Sequence, residues 1–336
     1  MKCMKKYMKK YMKLPALSTI ALVALSFQPA HAAQPPLNVV ATIGMASDVV
    51  REVGGECVEV TTLMGPGTDP HLYRASAGDV AALSAADLIV YGGLHLEGKM
   101  VDVLARLGER QPTLAIMEQI DRQHLLADDD EDLEYDPHLW MDVSLWAKTV
   151  DIAASALLEL RPECAGIIEA NRTRYAGELA ALHDWAKATL ATVPRQQRIL
   201  VTAHDAFYYF APAYDFDASE AVQGISTETE ASVADIREVA DFVTARQVPA
   251  IFPETTISPR NIEAVQAAVH DRGWDVAIGG ELFSDAMGDE GSPEGTYIGM
   301  IRSNVLTIVE ALGGEGAPWP EELSGWAERW ASAGEE

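Results

Sequence analysis

The chain has 336 residues, with 25 Lys or Arg against 51 Asp or Glu, so its formal net charge is −26 at pH 7. Such an acidic chain is a poor partner for nucleic acid or for an anionic membrane surface, because both carry negative charge themselves. We therefore expect no nucleic-acid partner. The acidity indicates either solubility and adaptation to salt, or a field that concentrates cations.

The first 32 residues have the pattern of an export signal. A basic segment ends at Lys13, an apolar run follows from about Leu14 to Phe27, and Ala30-His31-Ala32 fits a cleavage site. The apolar run is too short for a comfortable transmembrane helix, and no cysteine follows it to carry a lipid. We predict a protein that is periplasmic or otherwise exported and soluble after cleavage near Ala32. Cleavage removes six lysines and no acidic residue, which lowers the formal charge to −32.

Strands and helices alternate in the first half of the mature chain. The pattern predicts strands at Leu37–Thr42, Val58–Leu63 and Asp87–Tyr91, with helices at Ser47–Val53 and Ala77–Ala85. Strands that alternate with helices are typical of parallel sheets. Ligands of such sheets bind beyond the carboxyl ends of the strands.

The tripeptide Asp-Pro-His occurs twice, as Asp69-Pro70-His71 and as Asp136-Pro137-His138. Because proline fixes the backbone and lacks an N–H group, each imidazole is presented from a rigid turn. The preceding aspartate can accept hydrogen bonds from turn amides, or from the far ring nitrogen of a metal-bound histidine. We interpret His71 and His138 as candidate metal ligands; the alternative for each is a cap or a surface residue.

An acidic segment, Asp128 to Glu134, directly precedes the second tripeptide. It is either a solvated loop or a segment that captures cations transiently.

From about Arg161 to Val193 the pattern predicts one long amphipathic helix, which would span on the order of 45–50 Å. Strands restart after it, at about 198–202, 250–252 and 274–278. The predicted fold is therefore α/β, with two parallel-sheet lobes joined by a long backbone helix and a site in the cleft between them. The predicted organisation is a signal peptide at 1–32, an N-terminal lobe at 36–160, the helix at 161–193, a C-terminal lobe at 197–313 and a tail at 314–336.

Two further candidate ligands follow predicted strands of the second half. His204 comes directly after a buried strand, and Asp285 lies in the loop after the last predicted strand. The four candidates are 66 to 81 residues apart, so each lobe would contribute two ligands across the cleft. His95, beside a strand end, competes as a ligand but is expected to support a ligand from behind or to be structural. His183 and His270 are expected to be packing or surface residues.

Three imidazoles and one carboxylate suit a borderline divalent ion, zinc first and manganese or iron after it. A closed shell of four ligands leaves no position for an activated water, which favours binding over catalysis. A zinc-dependent hydrolase with Glu281 or Asp205 as general base is the enzymatic alternative. Cys57 and Cys164 could pair in an oxidising compartment, but their predicted positions give no strong reason to expect a disulfide.

These residues resemble the metal-binding (cluster A-I) solute-binding proteins of zinc and manganese ABC transporters, from about Leu37 to Gly313. The runs that carry the resemblance are Gly-Pro-Gly-Thr-Asp-Pro-His-Leu-Tyr at 65–73, Gly-Leu-His-Leu-Glu-Gly-Lys-Met at 93–100, Tyr-Asp-Pro-His-Leu-Trp-Met-Asp at 135–142, Val-Thr-Ala-His-Asp-Ala-Phe at 201–207, Gly-Ile-Ser-Thr-Glu-Thr-Glu-Ala-Ser at 224–232 and Glu-Leu-Phe-Ser-Asp at 281–285.

The resemblance implies two lobes on a rigid backbone helix, with the metal bound between them by His71, His138, His204 and Asp285. Manganese members of the family often have a carboxylate at the third position, so His204 favours zinc. The histidine-rich loop of typical zinc members is replaced by the acidic segment, which leaves manganese or iron as alternatives.

The resemblance also implies a membrane permease of an ABC transporter as the partner, and we expect a monomer. Metal release is expected through local motion around His204 or Asp285. Surface adhesion, with an exposed tail from Pro318 to Glu336, is a second alternative role.

Overall fold

The computed structural model describes residues 34–127 and 133–331. The predicted signal peptide at 1–32 and residues 128–132 of the acidic segment lie outside the described residues. The described part from Pro36 onward belongs to one compact unit.

The first half contains a parallel sheet in the strand order β2-β1-β3-β4. Its strands are β1 (Leu37–Ala41), β2 (Val58–Thr62), β3 (Leu88–Tyr91) and β4 (Thr113–Ala115). Leu37 pairs with Val58, and Val39 pairs with Leu88, in parallel register. β1 lies inside the sheet, between β2 and β3, where its short apolar run is buried almost throughout. The three predicted strands are confirmed, whereas β4 was not predicted because it is only three residues long.

Helices connect these strands and continue the chain to the linker helix. They are α1 (Gly44–Gly54), α2 (Ala77–Ala85), α3 (Val101–Gly108), α4 (Val143–Trp146) and α5 (Lys148–Leu160). The start of α2 is fixed by a capping box, in which Ser76 and Asp79 each accept a hydrogen bond from the backbone N–H of the other.

The linker helix α6 (Ala165–Leu190) has 26 residues and spans about 39 Å, so it is shorter than predicted. It begins later because Pro162–Cys164 forms a separate 3-10 turn, and Pro194 follows it closely. The predicted apolar stripe is otherwise confirmed. α6 packs against α1, α4 and α5 of the first half and against a helix of the second half, Tyr297–Ala311. It therefore connects the cores of both halves.

The second half repeats the strand order of the first. Its strands are β5 (Ile199–His204), β6 (Ala218–Gln223), β7 (Ala250–Ile251) and β8 (Ala277–Ile278). β5 pairs with β6 and β7 pairs with β8, and a parallel bridge between Thr202 and Phe252 joins the two pairs. The spatial order is thus β6-β5-β7-β8. The last predicted strand is shortened to two residues, and β6 was missed because its residues are only half-buried.

The helices of the second half are α7 (Phe210–Ala213), α8 (Val233–Arg246), α9 (Arg260–Asp271), α10 (Tyr297–Ala311) and α11 (Ser324–Ala331). α8 and α9 pack against each other and against β6 and β5. No helix in the described ranges combines the length and the apolar character that a membrane span requires.

Part of the segment after Leu312 packs against the linker helix, although the adhesion alternative considered an exposed tail from Pro318 to Glu336. The Trp185 indole donates to the backbone oxygen of Ala317 at 3.1 Å, and its ring lies 4.8 Å from that of Trp319. Leu323 and Trp326 are buried. This segment is rich in Gly, Pro, Glu and Trp, a composition that suggested an open tail. Its tryptophans instead contact Trp185 of α6 and Thr296 at the start of α10.

Cys57 and Cys164 form a disulfide, contrary to the expectation from sequence. Their Cα atoms lie 6.3 Å apart although 107 residues separate them along the chain. The pairing depends on α1 packing on α6, which brings the start of β2 to the start of the linker helix. A contact of this separation has no local sequence signal.

We expect the double variant Cys57→Ser, Cys164→Ser to unfold at a lower temperature, with about 2–5 kcal/mol of the free energy of unfolding lost, because the disulfide closes a long loop in the unfolded chain. Thermal unfolding with and without a reductant measures this. The reductant should lower the midpoint of the wild type and leave that of the double variant unchanged. An unchanged wild-type midpoint would contradict the prediction.

Candidate metal centre

The four predicted ligands lie together at the carboxyl ends of the strands. His71 follows β2 on its turn, His138 precedes a 3-10 turn at Leu139–Met141, His204 is the last residue of β5, and Asp285 lies in the loop after β8. All four side chains are buried, with at most 2% of each residue exposed. Side chains from four distant segments therefore meet in one interior position.

The ligand atoms of the four side chains lie within 4.8 Å of one another. His71 Nε2 is 3.4 Å from His138 Nε2 and 3.6 Å from an oxygen of Asp285. The Nε2 atoms of His138 and His204 each lie 3.3 Å from an oxygen of Asp285. Each imidazole thus presents the same nitrogen, Nε2, to a common centre.

Several of these atoms lack the partners that buried polar atoms normally have. His204 Nε2 and both carboxylate oxygens of Asp285 are buried and make no hydrogen bond to any group in the described part of the chain. A buried polar atom without a partner costs about 1–3 kcal/mol. A cation at the common centre would give His204 Nε2 and one of the Asp285 oxygens a partner, so the donor set fits a metal ion.

The two Asp-Pro-His turns differ in what their aspartates do. Asp136 Oδ1 accepts hydrogen bonds from the backbone N–H of His138 at 2.6 Å and from His138 Nδ1 at 2.9 Å. The predicted partner for the far ring nitrogen is confirmed there. Asp69 Oδ1 accepts only the backbone N–H of His71, at 2.9 Å, and its other oxygen accepts from the Thr227 hydroxyl at 2.6 Å.

Glu254 is the functional residue that the sequence interpretation missed. Its Oε1 accepts from the backbone N–H of His204 at 2.8 Å, and its Oε2 lies 2.5 Å from His204 Nδ1. Glu254 follows β7, which neighbours β5 at the point where the chain reverses its direction across the sheet. A carboxylate two residues after the strand run at 250–252 was the signal that could have identified it.

The His138 turn is also held from the second half of the chain. The Tyr209 hydroxyl donates to the backbone oxygen of Asp136 at 2.9 Å and accepts from the backbone N–H of Leu126 at 2.9 Å. The Trp140 indole donates to the backbone oxygen of Ser284 at 2.9 Å, next to Asp285. A direct hydrogen bond between neighbouring residues, Trp140 and Ser284, therefore ties the segment of His138 to the segment of Asp285.

The imidazoles of the first half have opposite pKa shifts. Burial lowers the pKa of His71 to about 3, an effect larger than the opposing attraction of Asp285. Burial also acts on His138, but the carboxylates of Asp136 and Asp285 outweigh it and raise the pKa of His138 to about 9.

The pKa values of His204 and Asp285, the ligands of the second half, are also shifted by charged neighbours. Burial would lower the pKa of His204, but Glu254 and Asp285 raise it well above its usual value. Burial would raise the pKa of Asp285, but His204 and His138 hold it well below its usual range. Protons and a metal ion therefore compete for the same imidazole nitrogens.

In the described part of the chain, three other histidines lie outside this group of ligands. His95 is exposed and lines a cavity of about 460 Å³ together with Glu118, Arg122 and Glu134. His183 is on α6 with its ring 5.5 Å from that of Tyr214. His270, near the end of α9, contacts the backbone oxygen of Val276 at 3.2 Å.

A buried centre of three imidazoles and one carboxylate, built from both α/β halves, defines a metal-binding protein of the solute-binding class. Over residues 39–311 the chain matches the family described as zinc-uptake complex component A, periplasmic. The chain belongs to this family.

The relatives differ in the metal that their names give. The chain is 46% identical over 274 residues to the zinc-binding protein TroA of Treponema pallidum, covering 82% of this chain and 88% of TroA. It is 42% identical over 276 residues to the manganese-binding lipoprotein MntA of Bacillus subtilis, covering 82% of this chain and 90% of MntA.

Solved structures of relatives have the same fold. The structure of periplasmic TroA matches with a TM-score of 0.80 at 45% identity, over 82% of this chain and 99% of that chain. The Fe(III)-bound YtgA of Chlamydia trachomatis matches with a TM-score of 0.75 at 25% identity, over 84% of this chain and 100% of that chain. The predicted fold of two α/β lobes with a long helix is thereby confirmed.

Family membership also confirms the predicted class: the chain is a metal-binding solute-binding protein of an ABC transporter, and it is not an enzyme. The hydrolase alternative is excluded on that ground. Of its proposed bases, Glu281 is exposed and Asp205 is half-buried beside the centre.

We expect Glu254→Gln to weaken metal affinity by roughly 10–100-fold, because the carboxylate orients His204 and raises the basicity of its Nε2. Titration of the purified apo protein with zinc measures the affinity. Glu263→Gln, an exposed position on α9, is the matched control and should bind as the wild type does. Equal affinities of Glu254→Gln and the control would contradict this role.

Proposed function

We propose that this chain is an exported receptor that captures zinc in the cleft between its lobes and delivers it to the membrane permease of an ABC transporter. The proposed ligands are His71, His138, His204 and Asp285. The observation that carries the proposal is the buried meeting of three imidazoles and one carboxylate, whose ligand atoms lie within 4.8 Å of one another.

These separations support zinc. A tetrahedral ion with ligands at about 2.0–2.1 Å has ligand atoms roughly 3.3–3.4 Å apart. Four separations between ligand atoms, 3.3 to 3.6 Å, are close to this spacing, and all the ligand atoms lie within 4.8 Å of one another. A closed shell of this kind leaves no open position for an activated water, in keeping with transport of the ion rather than catalysis.

The type of the third ligand also supports zinc. His204 adds a third imidazole where a carboxylate would give a harder, oxygen-richer site, and imidazole suits zinc better than manganese. Glu254 strengthens this donor, because a carboxylate on Nδ1 raises the basicity of Nε2.

Manganese or iron is the second candidate. The similarity to the manganese-binding lipoprotein MntA, at 42% identity, is nearly as high as that to the zinc-binding protein TroA. The acidic segment beside His138, in place of a histidine-rich one, also favours a harder ion.

The proposal includes export and a single-chain receptor. Lipoprotein and periplasmic relatives support export, and the predicted cleavage near Ala32 would release a chain of −32 formal charge. We infer that the protein acts as a monomer on its permease, without nucleic acid as a partner. The proposal keeps the lobe boundaries predicted from sequence. The lobes are 36–160 and 197–313, the linker between them is 161–193, and the tail is 314–336.

We expect zinc to outcompete manganese by orders of magnitude on the purified apo protein, and His204→Glu to narrow that difference. Because a new carboxylate at this position would face Glu254, the double variant His204→Glu, Glu254→Gln tests the ligand change without a buried repulsion. His270→Glu on α9 is the control and should keep the wild-type preference.

Competitive titration with both metals measures the preference. Even competition by manganese on the wild type would contradict the zinc proposal and favour the second candidate.

A further inference from the structure

Two of the sequence runs singled out above contribute no candidate ligand. They are the run at 93–100, after β3, and the run at 224–232, after β6. The structure brings them together across the cleft, directly beside the turn that carries His71. This juxtaposition suggests that the two runs act on the position of His71 rather than on the metal ion directly.

The first contact between the halves runs through Asp69. One oxygen of its carboxylate accepts the backbone N–H of His71 at 2.9 Å, and the other accepts the hydroxyl of Thr227 at 2.6 Å. Thr227 is buried, with 5% of the residue exposed. A residue of the second half therefore holds the turn of a first-half ligand through one shared carboxylate.

The second contact lies next to it. Lys99 forms an ion pair with Glu228, and about a third of each side chain is exposed. Gly98 lets Glu228 come this close, because a Cβ atom at Gly98 would lie 2.7 Å from Glu228 Oε1 and 3.7 Å from the backbone oxygen of His71. We call Asp69, Thr227, Lys99 and Glu228 the clasp.

Open space borders the segment that leads into the His71 turn. Pro66 and Gly67 line a groove of about 600 Å³ together with Thr255 and Met287. A Cβ atom at Gly65 would meet no atom within 4 Å. The His71 turn is thus held by the clasp, while the segment just before it borders free space.

The three imidazoles also differ in how firmly neighbouring carboxylates hold their rings. His138 and His204 are each fixed by a buried carboxylate on Nδ1. The aspartate before His71 instead bonds the backbone and the clasp. The sequence suggested local motion around His204 or Asp285. His204 ends a buried strand, and Ser284 beside Asp285 accepts a hydrogen bond from Trp140, so His71 is the better candidate for the moving ligand.

We propose that the clasp positions the His71 turn against the metal and sets the rate at which the ion is released. The inference rests on the proposed function and adds to it the residues that control exchange. Opening the Asp69–Thr227 bond frees the turn to swing toward the groove, which removes one ligand and exposes the other three.

The test is the release of zinc from the loaded protein into an excess of chelator, followed by stopped flow. Thr227→Val keeps the shape of the side chain but removes the hydroxyl, and we expect release at least about tenfold faster, as for loss of a hydrogen bond to a charged group. Thr227→Ser restores the hydroxyl and should release zinc at the wild-type rate.

Two further variants address the ion pair. Gly98→Ala should displace Glu228 and speed release, whereas Gly166→Ala on α6, where an added Cβ meets no atom within 4 Å, should not. Lys99→Met should speed release by a few-fold only, because a half-exposed ion pair contributes little. The unfolding midpoints of the apo variants should remain close to that of the wild type.

Wild-type release rates in Thr227→Val, or equally fast release from Thr227→Ser and Thr227→Val, would overturn the clasp. The metal preference is decided separately by the competition experiment. A wild type that prefers manganese would refute the zinc proposal, whereas the order of the variants' release rates would still decide the clasp.

Discussion

Pairing of buried imidazoles with buried carboxylates is the constraint on which this structure depends. Four ligand side chains can meet in an interior only if their remaining polar atoms have partners, since an unpaired buried group is costly. Asp136 satisfies His138, and Glu254 satisfies His204, each through both the ring nitrogen and the backbone N–H. The polar atoms that remain without a partner, on His204 and Asp285, face one centre. These atoms give the site its capacity to bind an ion.

The architecture supplies these partners because both halves place their strand ends at the cleft. With the same spatial strand order in each half, the first and third strands are neighbours, and the loops after them meet. In the second half this brings His204 to Glu254. In the first half the equivalent neighbours are Thr42 and Glu97, joined by a hydrogen bond of 2.6 Å, and Glu97 also accepts from Gly92. Glu254 thus supports a metal ligand in the second half, whereas Glu97 at the corresponding place in the first half supports a loop.

Much of this was predictable from sequence, for local reasons. Rigid Asp-Pro-His turns and strand-terminal polar residues identified the four candidate ligands, and apolar periodicity identified the linker helix. Contacts between distant segments were not predictable from such patterns. The role of Glu254 depends on the pairing of β5 with β7, and the disulfide of Cys57 depends on the packing of α1 on α6. The packing of Leu323 and Trp326 in the tail depends likewise on contacts with distant helices. The short strands β4 and β6 have too few buried residues to give a pattern.

The most direct test of the account is X-ray absorption spectroscopy of the zinc-loaded protein. A closed shell of three imidazoles and one carboxylate predicts four nitrogen or oxygen ligands at about 2.0–2.1 Å, with the outer-shell scattering of three imidazole rings and no bound water. A five- or six-coordinate ion with water ligands, or fewer than three imidazoles, would contradict the central claim that this fold encloses the ion completely.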